Sequence, residues 1–170
     1  TLVVGQSQLF CHILSVSPGA TLRIVSGRGS LQAQGAELTA SSAIVNEGLI
    51  ELTSVNQGCC NAQPATLRLI EGTLLNTAGA TIRSLQGGYG GERFLDAALE
   101  NHGTLDVQYS LTLEPNSYLN AGSITIAASQ TLALEGGALI DDGGALSGEG
   151  TLSLASSRWE LRQDLSISSP

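Results

Sequence analysis

Three short stretches gather side chains that could do chemistry. Gly87-Gly88-Tyr89-Gly90-Gly91-Glu92-Arg93 puts a ring, an acid and a guanidinium beside one another on a glycine-rich protrusion. That set could stack on a hydroxyl-rich ligand and hydrogen-bond it, and loops on rigid scaffolds often carry function. The plainer reading is a loop inserted between regular elements, and it comes first here. Asp141-Asp142 is a carboxylate pair. Hydrolysis of a glycosidic bond uses two carboxyl groups, one protonated as acid and one ionised to activate water or attack. Adjacent strand residues point to opposite faces, however, and Asp141-Asp142-Gly143-Gly144 is an ordinary turn sequence, which is the reading taken. Arg158-Trp159-Glu160-Leu161-Arg162 holds the single Trp. Trp159 could stack on a sugar with Arg158 or Arg162 bonding its hydroxyls, but the first expectation is that it caps an apolar core. Tyr109 and Tyr118 carry the same two readings. His102 is read as an exposed residue beside Asn101.

Three cysteines, Cys11, Cys59 and Cys60, allow at most one disulfide within the chain. Cys11 reads first as a small, buried apolar residue. The alternatives are a bond from Cys11 to Cys59 or Cys60, and a vicinal Cys59–Cys60 bridge. The spacing does not suit a metal site built from Cys-x-x-Cys units, and no base is recognisable beside any of the three to make a nucleophile.

Charge narrows the partners. Seven basic residues stand against 15 acidic ones, a net charge of −8. Nucleic acid and anionic membranes need Lys and Arg to neutralise phosphates, so neither is expected. No window approaches the roughly 20 apolar residues of a membrane-spanning helix, so no membrane insertion is expected. The chain opens on Thr1-Leu2-Val3-Val4-Gly5 without Met and is expected to be a piece of a larger chain.

The elements that must position these residues announce themselves by repetition. Asn101-His102-Gly103-Thr104-Leu105-Asp106-Val107 returns as Asn120-Ala121-Gly122-Ser123-Ile124-Thr125-Ile126. Asn46-Glu47-Gly48-Leu49-Ile50-Glu51-Leu52 has the same form, Asn76-Thr77-Ala78-Gly79-Ala80-Thr81-Ile82 has it with one extra residue, and Gly148-Glu149-Gly150-Thr151-Leu152 has it with Gly in the Asn position. The anchors at 46, 76, 101, 120 and 148 are 30, 25, 19 and 28 residues apart. Uneven steps of that size mark a solenoid whose turns carry loops of different lengths.

Between anchors the apolar residues alternate with polar ones in very short runs, the pattern of half-buried strands. Strands that short cannot stand alone, but coiled chains let each pair with its counterpart one turn away, at roughly 4.8 Å. The predicted fold is therefore all-β: a single-stranded right-handed parallel β-helix of about seven turns, three short strands per turn, in one domain over residues 1–170. Thr21-Leu22-Arg23-Ile24 and Thr66-Leu67-Arg68-Leu69 read as two rungs of one type. Asn46, Asn76, Asn101 and Asn120 are expected to stack as a ladder, with Gly48, Gly103 and Gly122 supplying positive φ at the corners. Glu92–Glu100 could form a helical turn or a corner. A β-sandwich is the rival fold, and it would want longer strands and more aromatics. Thr21, Thr66, Thr81, Thr104, Thr125 and Thr151 occupy different positions of the repeat, so a flat ice-binding array is not expected.

The phrases Asn46–Leu52, Asn76–Ile82, Asn101–Val107 and Asn120–Ile126, with Gly143–Leu161, resemble the degenerate repeats of large secreted bacterial β-solenoid proteins of the adhesin and autotransporter-passenger type. The resemblance implies an extracellular or cell-surface stalk or adhesin, and some similar proteins bind or cleave polysaccharides. Gly87–Leu95 also resembles one copy of the calcium nonapeptide of repeats-in-toxin proteins: Gly87, Gly88, Gly90 and Phe94 match, while Glu92 stands where Asp belongs. Calcium is thus the one ion with a motif, although such ions sit between stacked copies. Asn101-His102-Gly103 keeps only part of the Gly-His-Gly of polygalacturonase-type hydrolases.

No catalytic residue, metal-ligand set or cofactor is assigned. Tyr89, Glu92, Arg93 and Trp159 are the ligand-contacting candidates. The expected function is a structural or adhesive module displaying loops 55–64 and 86–94. A carbohydrate-binding module or non-catalytic part of a polysaccharide-degrading enzyme comes second. An element that associates end to end or as a homo-oligomer comes third. Polysaccharide or a surface protein is the expected partner.

Overall fold

The computed structural model describes residues 1–5, 8–12, 14–28, 33–55, 62–163, 167 and 168. Among them there is no helix, and all strand pairs but one are parallel. The exception is a short antiparallel pairing of Gly27 and Arg28 with Gln34 and Ala33.

Alternation explains the strands, and stacking explains their pairing. One sheet runs in the order Leu2–Gly5, Thr21–Arg28, Leu49–Ser54, Thr81–Ser84, Thr104–Val107, Ser123–Ile126, Ala145–Gly148 and Ile167–Ser168. Its register superposes like on like: Leu22, Ile50, Ile82, Leu105 and Ile124 form one inward column. All five are buried. The outward neighbours Arg23, Glu51, Arg83 and Asp106 form a column of alternating charge. Arg23 pairs with Glu51, and Arg83 with Asp106, each at 2.8 Å.

The second sheet is two ladders joined where Ala65–Asn76 and Arg93–Asn101 are long enough to serve both. In one, Leu9, Leu38, Leu67, Leu95, Leu113, Leu134 and Leu154 stack as seven leucines in register. The five inner ones are buried; Leu9 and Leu154, at the two ends of the stack, are exposed. In the other, Leu14, Ile44, Leu74, Leu99, Tyr118, Leu139 and Trp159 stack. These inward columns meet in one apolar core. The result is a β-solenoid, with stacked parallel ladders in place of the packed long strands of a sandwich.

Three local expectations are corrected. Glu92–Glu100 forms neither helix nor corner: Arg93–Asn101 is a strand, with Arg93, Leu95, Ala97, Leu99 and Asn101 all buried on one face. Thr21–Ile24 and Thr66–Leu69 are not rungs of one type. The first pairs in the single-ladder sheet and the second in the leucine ladder, because both sheets accept the same polar-apolar alternation. The threonines are not all in different positions either. Thr21, Thr81 and Thr104 share an outward column with Leu49 and Ser123.

Candidate functional site

Besides single serines such as Ser26 and Ser84, which bond backbone carbonyls, polar side chains enter this narrow core in two larger arrangements, and each is built differently. The first is the asparagine column at the strand ends Asn46, Asn76, Asn101 and Asn120, all buried. Asn46 Nδ2 donates to Asn76 Oδ1 at 2.8 Å, Asn76 to Asn101 at 2.7 Å, and Asn101 to Asn120 at 2.8 Å. The second proton of each amide goes to a backbone carbonyl of the following turn: Thr81, Thr104 and Ser123 in order, at 3.1 to 3.2 Å. Both amide protons of Asn46, Asn76 and Asn101 are used, as a dry interior requires. The next position is Asp141, also buried, opposite Asn120. It accepts the amide proton of Gly144 on Oδ1.

Gly48, Gly103 and Gly122 follow the asparagines for a reason other than the one expected. None lies at positive φ. A Cβ on Gly103 would lie 2.3 Å from the Ala80 carbonyl oxygen, and one on Gly122 would lie 2.2 Å from that of Gly103. Successive corners stack too closely for any side chain.

The second polar entry is the glycine-rich loop. Arg93 starts its strand pointing inward and is 1% exposed, between Ala65 of the preceding rung and the leucine-lined core. Its guanidinium donates to the carbonyl oxygens of Leu85, Gln86, Gly90, Gly91 and Glu92 at 2.8 to 3.1 Å. Burial lowers its pKa to about 10, so it remains charged at neutral pH. The loop carbonyls therefore surround a cation that the chain itself supplies. Gly87, Gly90 and Gly91 all have positive φ, which lets successive carbonyls turn toward one centre. The expectation that the protrusion presents a guanidinium is thus corrected. Tyr89 and Glu92 are exposed, whereas Arg93 is the pin that closes the loop.

Arg93 also lies 5.3 Å from the centroid of the Tyr109 ring, a cation–π distance. Tyr109, Glu92, Ser110 and Thr112 line an open pocket of about 320 Å³ above this pair. Trp159 is not part of it. It packs half-buried on the core, over Leu139, and lines a cavity of about 10 Å³ with Asn120 and Asp141. Tyr118 is buried in the same column and donates its hydroxyl proton to Glu114 O at 2.5 Å; burial raises its pKa. Tyr118 is therefore core, not a ligand contact.

Sequence comparison is decisive about kinship. The family model described as Haemagglutinin repeat matches residues 19–59 and 94–158. The chain belongs to the haemagglutinin-repeat family. That repeat is typical of secreted bacterial adhesin-type β-helix proteins. No curated protein and no solved structure matches the chain.

The two matched haemagglutinin-repeat segments flank residues 60–93, the stretch that contains the glycine-rich loop. Within the repeat itself, Asp141 is the anchor that sequence reading passed over, since Asp141-Asp142-Gly143-Gly144 looks like a turn. Gly148 is not an anchor: it pairs with Ile126, and the following strand Thr151–Ala155 lies in the leucine ladder. Asp141 ends its strand inside the stack and Asp142 opens the next turn half-buried. His102 is exposed at its corner. Cys11 is a half-buried free thiol whose pKa is raised by burial, while Cys59 and Cys60 lie outside the described residues. Among the described residues, no group of three or more His, Cys, Asp or Glu side chains is placed to hold a metal. The inward direction of Arg93 was legible in principle: it sits two residues before Leu95, on the same face of an alternating strand.

Proposed function

We propose that the chain is an extracellular or cell-surface adhesive module. It is a single right-handed β-helix domain over residues 1–170, about seven turns with three short strands each, which holds its loops out to a polysaccharide or a surface protein. The observation that carries this reading is the contrast between frame and loop. The haemagglutinin-repeat match covers frame on both sides of residues 60–93; that stretch adds the rungs Ala65–Asn76 and Thr81–Ser84 and a loop fixed by five hydrogen bonds from one buried arginine. A loop that rigid presents Tyr89 and Glu92 in a defined geometry, and preorganisation lowers the cost of binding. Loop 55–64, of which 56–61 lie outside the described residues, is the second loop proposed for display.

The test is adhesion. Beads coated with the chain are washed over immobilised glycans, matrix proteins and cultured cells, beside beads coated with a variant in which 87–91 is randomised. Retention on one surface, reduced several-fold in the variant, is the expected result. Equal retention of both would remove the loop from the function, and no retention would leave a stalk without adhesive activity.

One further observation favours association as a second role. Leu2, Val3, Leu9 and Phe10 are exposed on the rungs at one end of the stack, and Leu154 and Leu161 on the rungs at the other. Apolar rungs of this kind are templates for further pairing, by more of the same chain or by a second copy. Concentration-dependent growth of the particle in light scattering, abolished by charged residues at Leu9 and Phe10, would support stacking of copies. A monomer at all concentrations would end this reading.

A further inference from the structure

The pocket beside the loop has features that the loop alone lacks. Tyr109 is held from several directions. Its backbone carbonyl accepts the Ser84 hydroxyl proton at 2.5 Å. The Arg93 guanidinium lies against its ring at 5.3 Å. Its hydroxyl sits over Gly90, where a Cβ would come within 2.9 Å of that oxygen, and Gly90 has φ +81°. Neighbouring rungs thus fix the ring, which lines the open pocket and is itself only half-buried.

The polar groups around the ring define what would fit. Thr112 brings a hydroxyl and Glu92 an exposed carboxylate, while the Ser110 hydroxyl at the rim is engaged with Gln130 Oε1 and the Thr131 amide. Arg93 borders the pocket, but its donors are committed to five carbonyls, so it offers little to an anion. The chain's net charge of −8 opposes anionic ligands further. A fixed aromatic face, the Thr112 hydroxyl at its edge, one acceptor carboxylate and no free cation suit a neutral pyranose. Its C–H face stacks on the ring, and its hydroxyls donate to the carboxylate. The volume of about 320 Å³ falls in the range of small-molecule sites. Beyond Thr112, the same outward column continues as Ala133 and Ser153. These small side chains leave a shallow track for further sugar units.

We infer that Tyr109, Glu92 and Thr112, with Ser110 at the rim, form a binding site for a neutral hexose unit of a glycan, with Arg93 and Gly90 positioning the ring. This rests on the adhesive reading above and gives it a ligand class.

Saturation-transfer NMR on the full chain tests it, with neutral gluco-, galacto- and manno-oligosaccharides, a galacturonate oligomer and a lysine tripeptide as probes. At least one neutral series is expected to bind, and the acidic oligomer is not. Tyr109→Ala should weaken binding about tenfold or more, and Tyr109→Phe should retain it, since the ring supplies the contact. Tyr109→Ala also disturbs the packing of Arg93. Thr112→Arg therefore serves as the second variant: it fills the pocket from an outward strand position, should abolish binding and should leave the melting temperature unchanged. Preference for galacturonate or the lysine peptide, unchanged affinity in Thr112→Arg, or no neutral saccharide binding at millimolar concentration would each overturn the proposal. Beads retained by a protein surface in the adhesion assay, with no saccharide bound here, would sink the pocket and leave the adhesive module standing.

Discussion

The asparagine column and the arginine cage solve one problem in two ways. Each buries polar groups inside a core only a few side chains wide. The column does it by repetition: each Asn supplies the acceptor for one neighbour and the donor for the next, so the cost of burial is shared along the stack. The cage does it once, with one guanidinium donating to five carbonyls of a glycine-rich loop, two of which, Gln86 and Glu92, have further donors. A repeated solution is tolerant at its ends and cooperative in its middle. A single solution has no redundancy. The frame of the solenoid should therefore survive changes that its loop cannot.

The sharpest way to break this contrast is to remove the single cation. Arg93→Met takes the guanidinium from the Leu85, Gly90 and Gly91 carbonyls, while Gln86 O keeps the Gly90 amide and the Ser54 hydroxyl and Glu92 O keeps the Ala65 amide; it should cost about 3–5 kcal/mol in urea unfolding, an effect in the range seen when one partner of a buried charged network is deleted. Arg93→Lys keeps the charge with fewer donors and should lose less. Next comes the middle of the column. Asn101→Ala strands the Asn76 amide and the Asn120 oxygen, with an expected loss of about 3 kcal/mol, while Asn46→Ala, at the end of the run, should cost about 1 kcal/mol. Equal losses at both positions would mean that the amides do not act as a ladder. Gly122→Ala should cost about 2 kcal/mol in the same assay, because its Cβ would collide with the Gly103 carbonyl. The smallest effect belongs to the outer charge column. Arg83 is 34% exposed and pairs with Asp106 at 2.8 Å, so solvent screening should hold the loss in Arg83→Ala to about 0.5 kcal/mol. Added salt should reduce it further.

The same contrast explains what could be read from the sequence. Asn46, Asn76, Asn101 and Asn120 stand out because the phrase around them recurs, and recurrence reports a shared position. The pairing of Leu105 with Ile124 and of Leu111 with Leu132 follows from that spacing, and the structure has both. Where two positions use the same alphabet, spacing misleads. Thr21–Ile24 and Thr66–Leu69 read alike yet stand in different sheets, and Gly148 mimics an anchor that Asp141 occupies. Singular features were the least legible. Tyr89, Glu92 and Arg93 look equivalent in a loop sequence, and only the alternation running on through Leu95, Ala97 and Leu99 says that Arg93 faces in. Tyr109 becomes part of a site because a turn from the following rung brings it under that arginine, a neighbourhood no single stretch of sequence contains.

Hydrogen exchange of side-chain protons, followed by NMR on nitrogen-15-labelled protein, tests the central claim most directly. The account predicts that the Nδ2 protons of Asn46, Asn76 and Asn101, and the Nε proton of Arg93, are protected. The column protons should exchange only through global unfolding, and the arginine proton through opening of its loop, at a lower free energy. Asparagine side-chain protons exchanging at the rate of free amides would contradict the stacked column and, with it, the register of the whole solenoid.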